Sequence, residues 1–351
     1  MAYTTIDDPS AYFQTAIWSG TGSALSVTFD GNSDMQPDMV WVKNRTTSSD
    51  HRLSDSVRGT SSHLVPNDAA AIDTSSTALT AFNSDGFSVG TEQSYSQSGK
   101  NHVGWAWKAG TSFTNDASGT GIGTIDSAGS VSTDAGFSIT KFTADGNNLT
   151  AAHGLGVAPT MIITKNLSIS KQWSVYHSSL GAGKAIFLNV TDVADTDNTY
   201  WNNTAPTSTT LSYGTWSGNN NGNEIIAYCF AEKKGYSKFG SYTGNGNADG
   251  TFVYTGQKSA FIMIKASSRA GTWNMYDVKR STFNNVDDFI TANTPDAETT
   301  GNTYQNIDIL SNGFKCRGTG TGTNESGSTY IYMAFAENPF VTSTGVPATA
   351  R

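Results

Sequence analysis

Two short motifs, Asp55-Ser56-Val57-Arg58 and Asp277-Val278-Lys279-Arg280, place a carboxylate three positions ahead of a guanidinium, and each is followed by a small residue and a threonine. Such a pair can grip a ligand, tune a proton or brace a turn, because the guanidinium fork and the carboxylate match in geometry. A third stretch has His177 and Leu180 at the matching positions, where no ion pair can form. The motif therefore reads as a structural turn clamp, with Asp55 on Arg58 and Asp277 on Arg280. A partly exposed pair of this kind adds only about 1 kcal/mol.

Other residue sets carry less specific chemistry. Lys43, Lys165 and Lys265 each close an apolar run and read as solvated strand ends or edge gatekeepers. The five histidines, His51, His63, His102, His153 and His177, lack the i, i+4 spacing of a zinc motif. Asp192, Asp195 and Asp197 crowd one polar loop but lack the glycine and terminal glutamate of a calcium loop, so a solvated loop is expected. No Gly-x-Ser-x-Gly elbow, phosphate loop or dinucleotide glycine pattern stands in strand-turn-helix context. The reading is of a protein that is not an enzyme, with no catalytic residues, metal or cofactor. Trp41, Trp105, Trp107, Trp173 and Trp273 occupy framework positions and are expected in the core, whereas Trp201 and Trp216 fall in a loop region and are candidate glycan contacts.

The elements that must position these residues recur. Met39-Val40-Trp41-Val42-Lys43, Met161-Ile162-Ile163-Thr164-Lys165 and Phe261-Ile262-Met263-Ile264-Lys265 are short apolar runs, rich in β-branched and aromatic residues, that read as strands buried on both faces. An aromatic precedes these lysines by 25, 23 and 23 residues (Trp18, Phe142 and Tyr242). Each stretch closes with a glycine and, eight residues later, an aromatic: Gly99 to Trp107, Gly222 to Phe230, Gly327 to Phe335. Asn83-Ser84-Asp85-Gly86 between apolar runs signals a hairpin, echoed by Ser311-Asn312-Gly313. Residues 110–135, rich in Gly, Ser, Thr and Ala, read as a linker or weak edge strands.

The spacing predicts an all-β chain of three tandem related antiparallel β-sandwich, jelly-roll-like units. Their expected bounds are 1–112, 113–235 with a Gly/Ser/Thr-rich lead-in, and 236–351 with a polar C-terminal tail. No helical period exceeds about two turns.

Composition agrees. Charged residues make up 14% of the 351, against about a quarter in an average domain, and the net charge is −8. Clustered Lys and Arg are missing, which argues against nucleic acid as a partner. Two cysteines, Cys229 and Cys316, at non-equivalent positions read as buried thiols rather than a disulfide framework. The opening residues carry neither a signal peptide's apolar core nor a membrane span, so membrane insertion is not expected.

The landmarks Pro37-Asp38-Met39-Val40-Trp41-Val42-Lys43-Asn44-Arg45, Val103-Gly104-Trp105-Ala106-Trp107-Lys108-Ala109-Gly110, His153-Gly154-Leu155-Gly156 and Tyr228-Cys229-Phe230-Ala231-Glu232 give the chain its signature. In them it resembles a family of marine bacteriophage virion proteins, structural or tail-fibre-like, over almost its full length. The resemblance implies a place on a virion assembled in the host cytoplasm and supplies no catalytic residues. The expected function is an exposed tail-fibre or appendage component touching the host surface. Capsid decoration is the alternative, and a surface-polysaccharide depolymerase the third. Expected partners are other virion proteins and a host surface glycan. Met1 to Ser10 and Thr342 to Arg351 are polar stretches that fray unless pinned, and a homo-oligomer, specifically a trimer, would pin them and let weak sugar contacts sum by avidity.

Overall fold

The computed structural model describes residues 2–216 and 218–350. The chain is all-β, and its described helical elements are turns of three or four residues, Pro9–Ala11, Gln93–Ser96 and Ala117–Thr120. Three large antiparallel sheets follow one another along the sequence. The first orders its strands Phe13–Ser19, Asn101–Trp107, Met39–Asn44, Arg52–Asp55. In the second, Phe137–Thr143, Glu224–Phe230, Met161–Asn166 and Ser174–His177 take the same order, with Thr111–Asn115 and Ser127–Ser132 added at one edge. The third runs Ser237–Thr243, Thr329–Pro339, Gln257–Ala266, Trp273–Asp277. In each, the closing aromatic strand sits between the leading strand and the lysine-terminated strand. The register is the same: Met39 pairs with Trp107, Met161 with Phe230 and Phe261 with Phe335.

Because successive side chains point to opposite faces, each large sheet feeds two cores. On the outer faces, Val40, Val42 and Ala106 pack against Val27, Leu79 and Phe87 of a small three-stranded sheet. Ile162 and Ala227 meet Leu149 and Leu211 of a two-stranded one. Ile262 and Tyr332 meet Val253, Ile309 and Phe314 of another three-stranded one. These are small sandwiches. The inner faces converge on one shared core that joins Trp41, Trp105 and Trp107 to Ile163, Tyr228 and Phe230 and to Phe261, Met263 and Phe335. Trp107 touches rings of both other sheets, with centroids 6.5 Å from Phe230, 5.9 Å from Phe261 and 5.6 Å from Phe335. The centre retains a void of only about 10 Å³ walled by apolar side chains, the size of a single water at most.

The hairpins form where the turn residues stand. Gly86, at φ 105° opposite Asn83, has no room for a side chain, since a Cβ would lie 2.0 Å from the Val27 carbonyl oxygen. Residues 110–135 supply two edge strands of the second sheet around a helical turn, and Thr111–Asn115 straddles the expected boundary at 112/113. Cys229 and Cys316 are buried free thiols.

The polar ends are tied to the chain itself. Thr4 donates to the Lys234 carbonyl (2.8 Å), Tyr3 to that of Gly256 (2.8 Å), and the Ser343 backbone N–H to Asp7 Oδ1 (2.6 Å), while Ala348 N–H returns to Phe340 (2.9 Å).

One core shared by three sheets makes their folding interdependent. Scanning calorimetry should give a single endotherm with van't Hoff and calorimetric enthalpies in agreement; resolved peaks for separate segments would contradict the shared core.

Candidate functional site

The three lysines are not solvated strand ends. Lys43, Lys165 and Lys265 are buried at 0%, 1% and 0% exposure, because the loop after each lies under a segment from another sheet. Lys165 Nζ donates to the carbonyls of Asn166 (2.9 Å) and Ala69 (3.1 Å). Lys265 Nζ donates to those of Thr191 (3.0 Å), Asp192 (2.9 Å) and Gly271 (2.8 Å). Lys43 Nζ donates to Asn44 (2.7 Å) and Thr47 (3.4 Å). Burial pushes all three ammonium groups down to about 8, offset in part at Lys43 by Asp296, Asp50 and Glu298.

Backbone bonds repeat this contact around a ring. Six residues past the lysines, the N–H groups of Ser49, Lys171 and Gly271 reach the carbonyls of Pro295, Ala69 and Thr191, each at 2.8 Å. In return, the N–H groups of Glu298, Ile72 and Ala194 reach Arg45 (2.9 Å), Leu167 (3.1 Å) and Ser267 (3.2 Å). The second segment thus leans on the first, the third on the second, and the first on the third. Ring nitrogens eight residues past each lysine cross the same seams. Trp173 donates to Val65 (3.0 Å) and Trp273 to Phe187 (2.8 Å). His51 accepts at Nδ1 from the Trp41 indole (2.9 Å), so its Nε2 carries the proton toward the Thr291 carbonyl (3.1 Å).

The structure brings Asp55 to Arg58 at 2.6 Å and Asp277 to Arg280 at 2.5 Å. Neither pair is the partly exposed clamp of the sequence reading. Side-chain exposure is 2% for Arg58 and 0% for the other three, and each aspartate also accepts from a different sheet. Tyr228 Oη donates to Asp55 (2.6 Å), and Trp105 Nε1 to Asp277 (2.9 Å). Glu298 joins Arg280 to Arg45, at 2.8 Å each. His177 stands at the same register as the aspartates, opposite Met161 where they oppose Met39 and Phe261. Its Nδ1 accepts from Ser179 N–H (3.2 Å), so Nε2 donates to the Tyr332 carbonyl (3.3 Å). These groups bond across the seams within their own chain and hold the seams closed. The cross-seam roles of His51, Arg45 and Glu298 are not legible in the sequence; the alignment of His51 with Trp173 and Trp273, each eight residues past a lysine, is the one signal for them.

Trp201 is not available to a sugar. It is 1% exposed, donates to the Lys184 carbonyl (2.9 Å) and packs against Tyr176 and Tyr213, because Asn202 and Asn203 at φ 50° and 46° turn the chain and tuck the indole under. Trp216 is half-buried against Tyr200 and Phe187, with the Lys171 ammonium 5.9 Å above its ring. The aspartate loop is engaged locally, Asp195 by Tyr200 (2.9 Å) and Asp197 by Thr199 N–H (2.7 Å).

One seam is open. Between the first sheet's edge strand and the third sheet lies a cleft of about 340 Å³, walled by Asp8, Ser10, Gln14, Asp30, Gly31 and Asn32 on one side and by Val278, Lys279, Thr282, Glu337 and Asn338 on the other, with Phe13 and Thr15 also lining it. Gly31 lies so close to the strand that a Cβ would meet Gln14 Oε1 at 2.5 Å, the same oxygen that accepts Gly31 N–H at 2.9 Å. Lys279 bridges the walls to Asp30 at 2.5 Å.

Removing one partner of a buried pair strands the other charge. Asp277→Ala should therefore lower unfolding free energy by about 3–5 kcal/mol in urea titration and alter Trp105 emission, since the indole loses its acceptor. Burial lowers the proton affinity of all five histidines, His51 to about 3 and His177 to about 4. The unfolded chain, with ordinary histidines near 6.5, then binds protons more readily than the fold. The histidine contribution should be complete above about pH 6.5, and stability should fall progressively from there toward pH 4; a urea midpoint unchanged across that window would contradict this.

Against known proteins, the family described as "Domain of unknown function (DUF7483)" matches residues 8–339. No curated protein and no solved structure matches the chain. The match spans nearly all of the sequence, so the chain belongs to the DUF7483 family.

Proposed function

We propose that this protein is a structural component of a bacteriophage virion, an exposed tail-fibre or appendage block of three related sandwich units that meets the host surface. The observation that carries the proposal is the closed ring of inter-sheet bonds. The aspartates, arginines and lysines with chemistry-bearing spacing are spent on bonds within the chain, which suits a rigid building block presenting polar loops. The relation of the units rests on the shared strand order and register of the three large sheets. A trimer of chains belongs to the fibre reading and would use the outer surfaces.

Capsid decoration is the second reading, favoured by one observation: the chain closes its own ring and ties its own ends, so a single copy is structurally complete.

Immunogold labelling of released particles with antibodies to the purified protein should mark the tail. Label over the head would select decoration, and particles that never take label would overturn the virion proposal. Light scattering at micromolar concentration should give the mass of three chains for the fibre component; one chain's mass would favour decoration.

A further inference from the structure

Each small outer sheet begins with an edge strand, and the second and third units treat that edge differently. In the second unit the strand is Leu149–Ala152, whose Ala151 points into the core; in the third it is Phe252–Tyr254, whose Val253 does. Phe252 therefore stands where Thr150 does, and Tyr254 where Ala152 does. Along an antiparallel ladder, successive residues bond alternately toward the partner strand and away from it. His153 N–H reaches the Thr209 carbonyl (3.2 Å), while in the third unit Thr255 N–H reaches that of Asn312 (2.9 Å) and Cys316 N–H that of Thr251 (3.1 Å). The backbone groups of Thr150, Ala152, Phe252 and Tyr254 thus face outward. In the second unit a passing segment covers them. Ile125 bridges Ala151 in parallel, the Thr150 carbonyl accepts from Thr124 N–H (2.8 Å), Thr150 N–H donates to Thr124 Oγ1 (2.9 Å), and the Ala152 carbonyl accepts from Ser127 Oγ (2.9 Å). In the third unit, among the described residues, nothing bonds the backbone groups of Phe252 or Tyr254. Residues 108–136, between the first large sheet and the second, supply the cover in one case; only residues 231–236 stand between the second and third.

We infer that the edge Phe252–Tyr254 is a docking site for an extended segment of another polypeptide chain, which adds a parallel strand there as residues 124–127 do in the second unit. Strand addition of this kind draws affinity from main-chain bonds and specificity from side chains at alternate positions. The side chains at this edge suit a partner. Phe252 and Tyr254 share one face of the strand and are 45% and 53% exposed. At the place of Phe252 the second unit has Thr150, and the first, in its edge strand Leu25–Val27, has Ser26, whose hydroxyl bonds that of Ser88 (3.0 Å). Tyr3 holds the Tyr254 hydroxyl (3.2 Å) and itself donates to the Gly256 carbonyl (2.8 Å), so the ring is fixed in place. Folded chains blunt an exposed edge with charge or proline, and this one carries two aromatic rings instead. The fitting partner is an uncharged extended segment with apolar side chains at alternate positions, one set of which lies against Phe252 and Tyr254. The inference does not rest on the virion proposal.

Selection of random displayed short peptides against the full chain tests it, with the recovered peptides resynthesised and their affinities measured by calorimetry. They should carry apolar residues at alternate positions. Methylating the backbone nitrogens along one edge of a bound peptide should abolish its binding, which side-chain contact alone would survive. Hydrogen exchange read by NMR should find the Phe252 and Tyr254 amides exchanging freely in the chain alone and slowed about tenfold or more with peptide. Phe252→Pro removes an outward N–H without breaking a ladder bond and should weaken binding about tenfold or more. Phe252→Lys, which keeps the backbone and charges the edge, should also weaken it and keeps the test valid if Phe252→Pro folds poorly. Recovery of no peptide, unchanged affinity in both variants, or protection that falls on Leu25–Val27 instead would overturn the inference. So would protection of Phe252 and Tyr254 that rises with protein concentration in the chain alone, which would assign the edge to a second copy.

Discussion

Three sheets that turn one face each toward a common centre bring the polar ends of their strands and the loops beyond them under neighbouring chain, out of reach of water. Every N–H, carbonyl and charge carried there must find a partner within the protein. The seams are built around that constraint. Carbonyls take the lysine ammonium groups, indoles reach across to loop carbonyls, and paired backbone bonds run in one sense around the ring. The apolar centre makes the burial favourable, and the seam bonds keep it from being cancelled by stranded polar groups.

The three seams reach this end with different chemistry. Where the closing strand offers a donor on its inner face, Trp105 or Tyr228, the facing element supplies an aspartate backed by an arginine. Where it offers Met333, which has no N–H or O–H, the facing residue is His177, which bonds the Tyr332 backbone instead, and the arginine position holds Leu180 packed against the shared core. A buried ion pair and a well-packed apolar group of similar size are close in net stability, which explains how both solutions coexist in one chain. Interchanging only one member would leave a buried charge alone.

One seam stays partly open. The seam between the first and third sheets carries an extended charge network, Arg280 to Glu298 to Arg45, and beside it the cleft. Its walls come from segments far apart in sequence, the lead into the first sheet and the last strand of the third.

Local signals were legible in the sequence. Strands follow from apolar runs of β-branched and aromatic residues, hairpins from Asn-Ser-Asp-Gly and Ser-Asn-Gly, and the Asp55–Arg58 and Asp277–Arg280 contacts from a three-residue spacing within one turn. Lysine burial was not legible, since it depends on loops such as 188–194 that arrive from another segment. Nor was the burial of Trp201, set by two left-handed asparagines, or the cleft, whose walls meet only when the third sheet is laid beside the first. Composition and spacing determine how a segment pairs with itself. Which faces meet, and so which polar groups lose water, is decided only when the three sheets close around a common core.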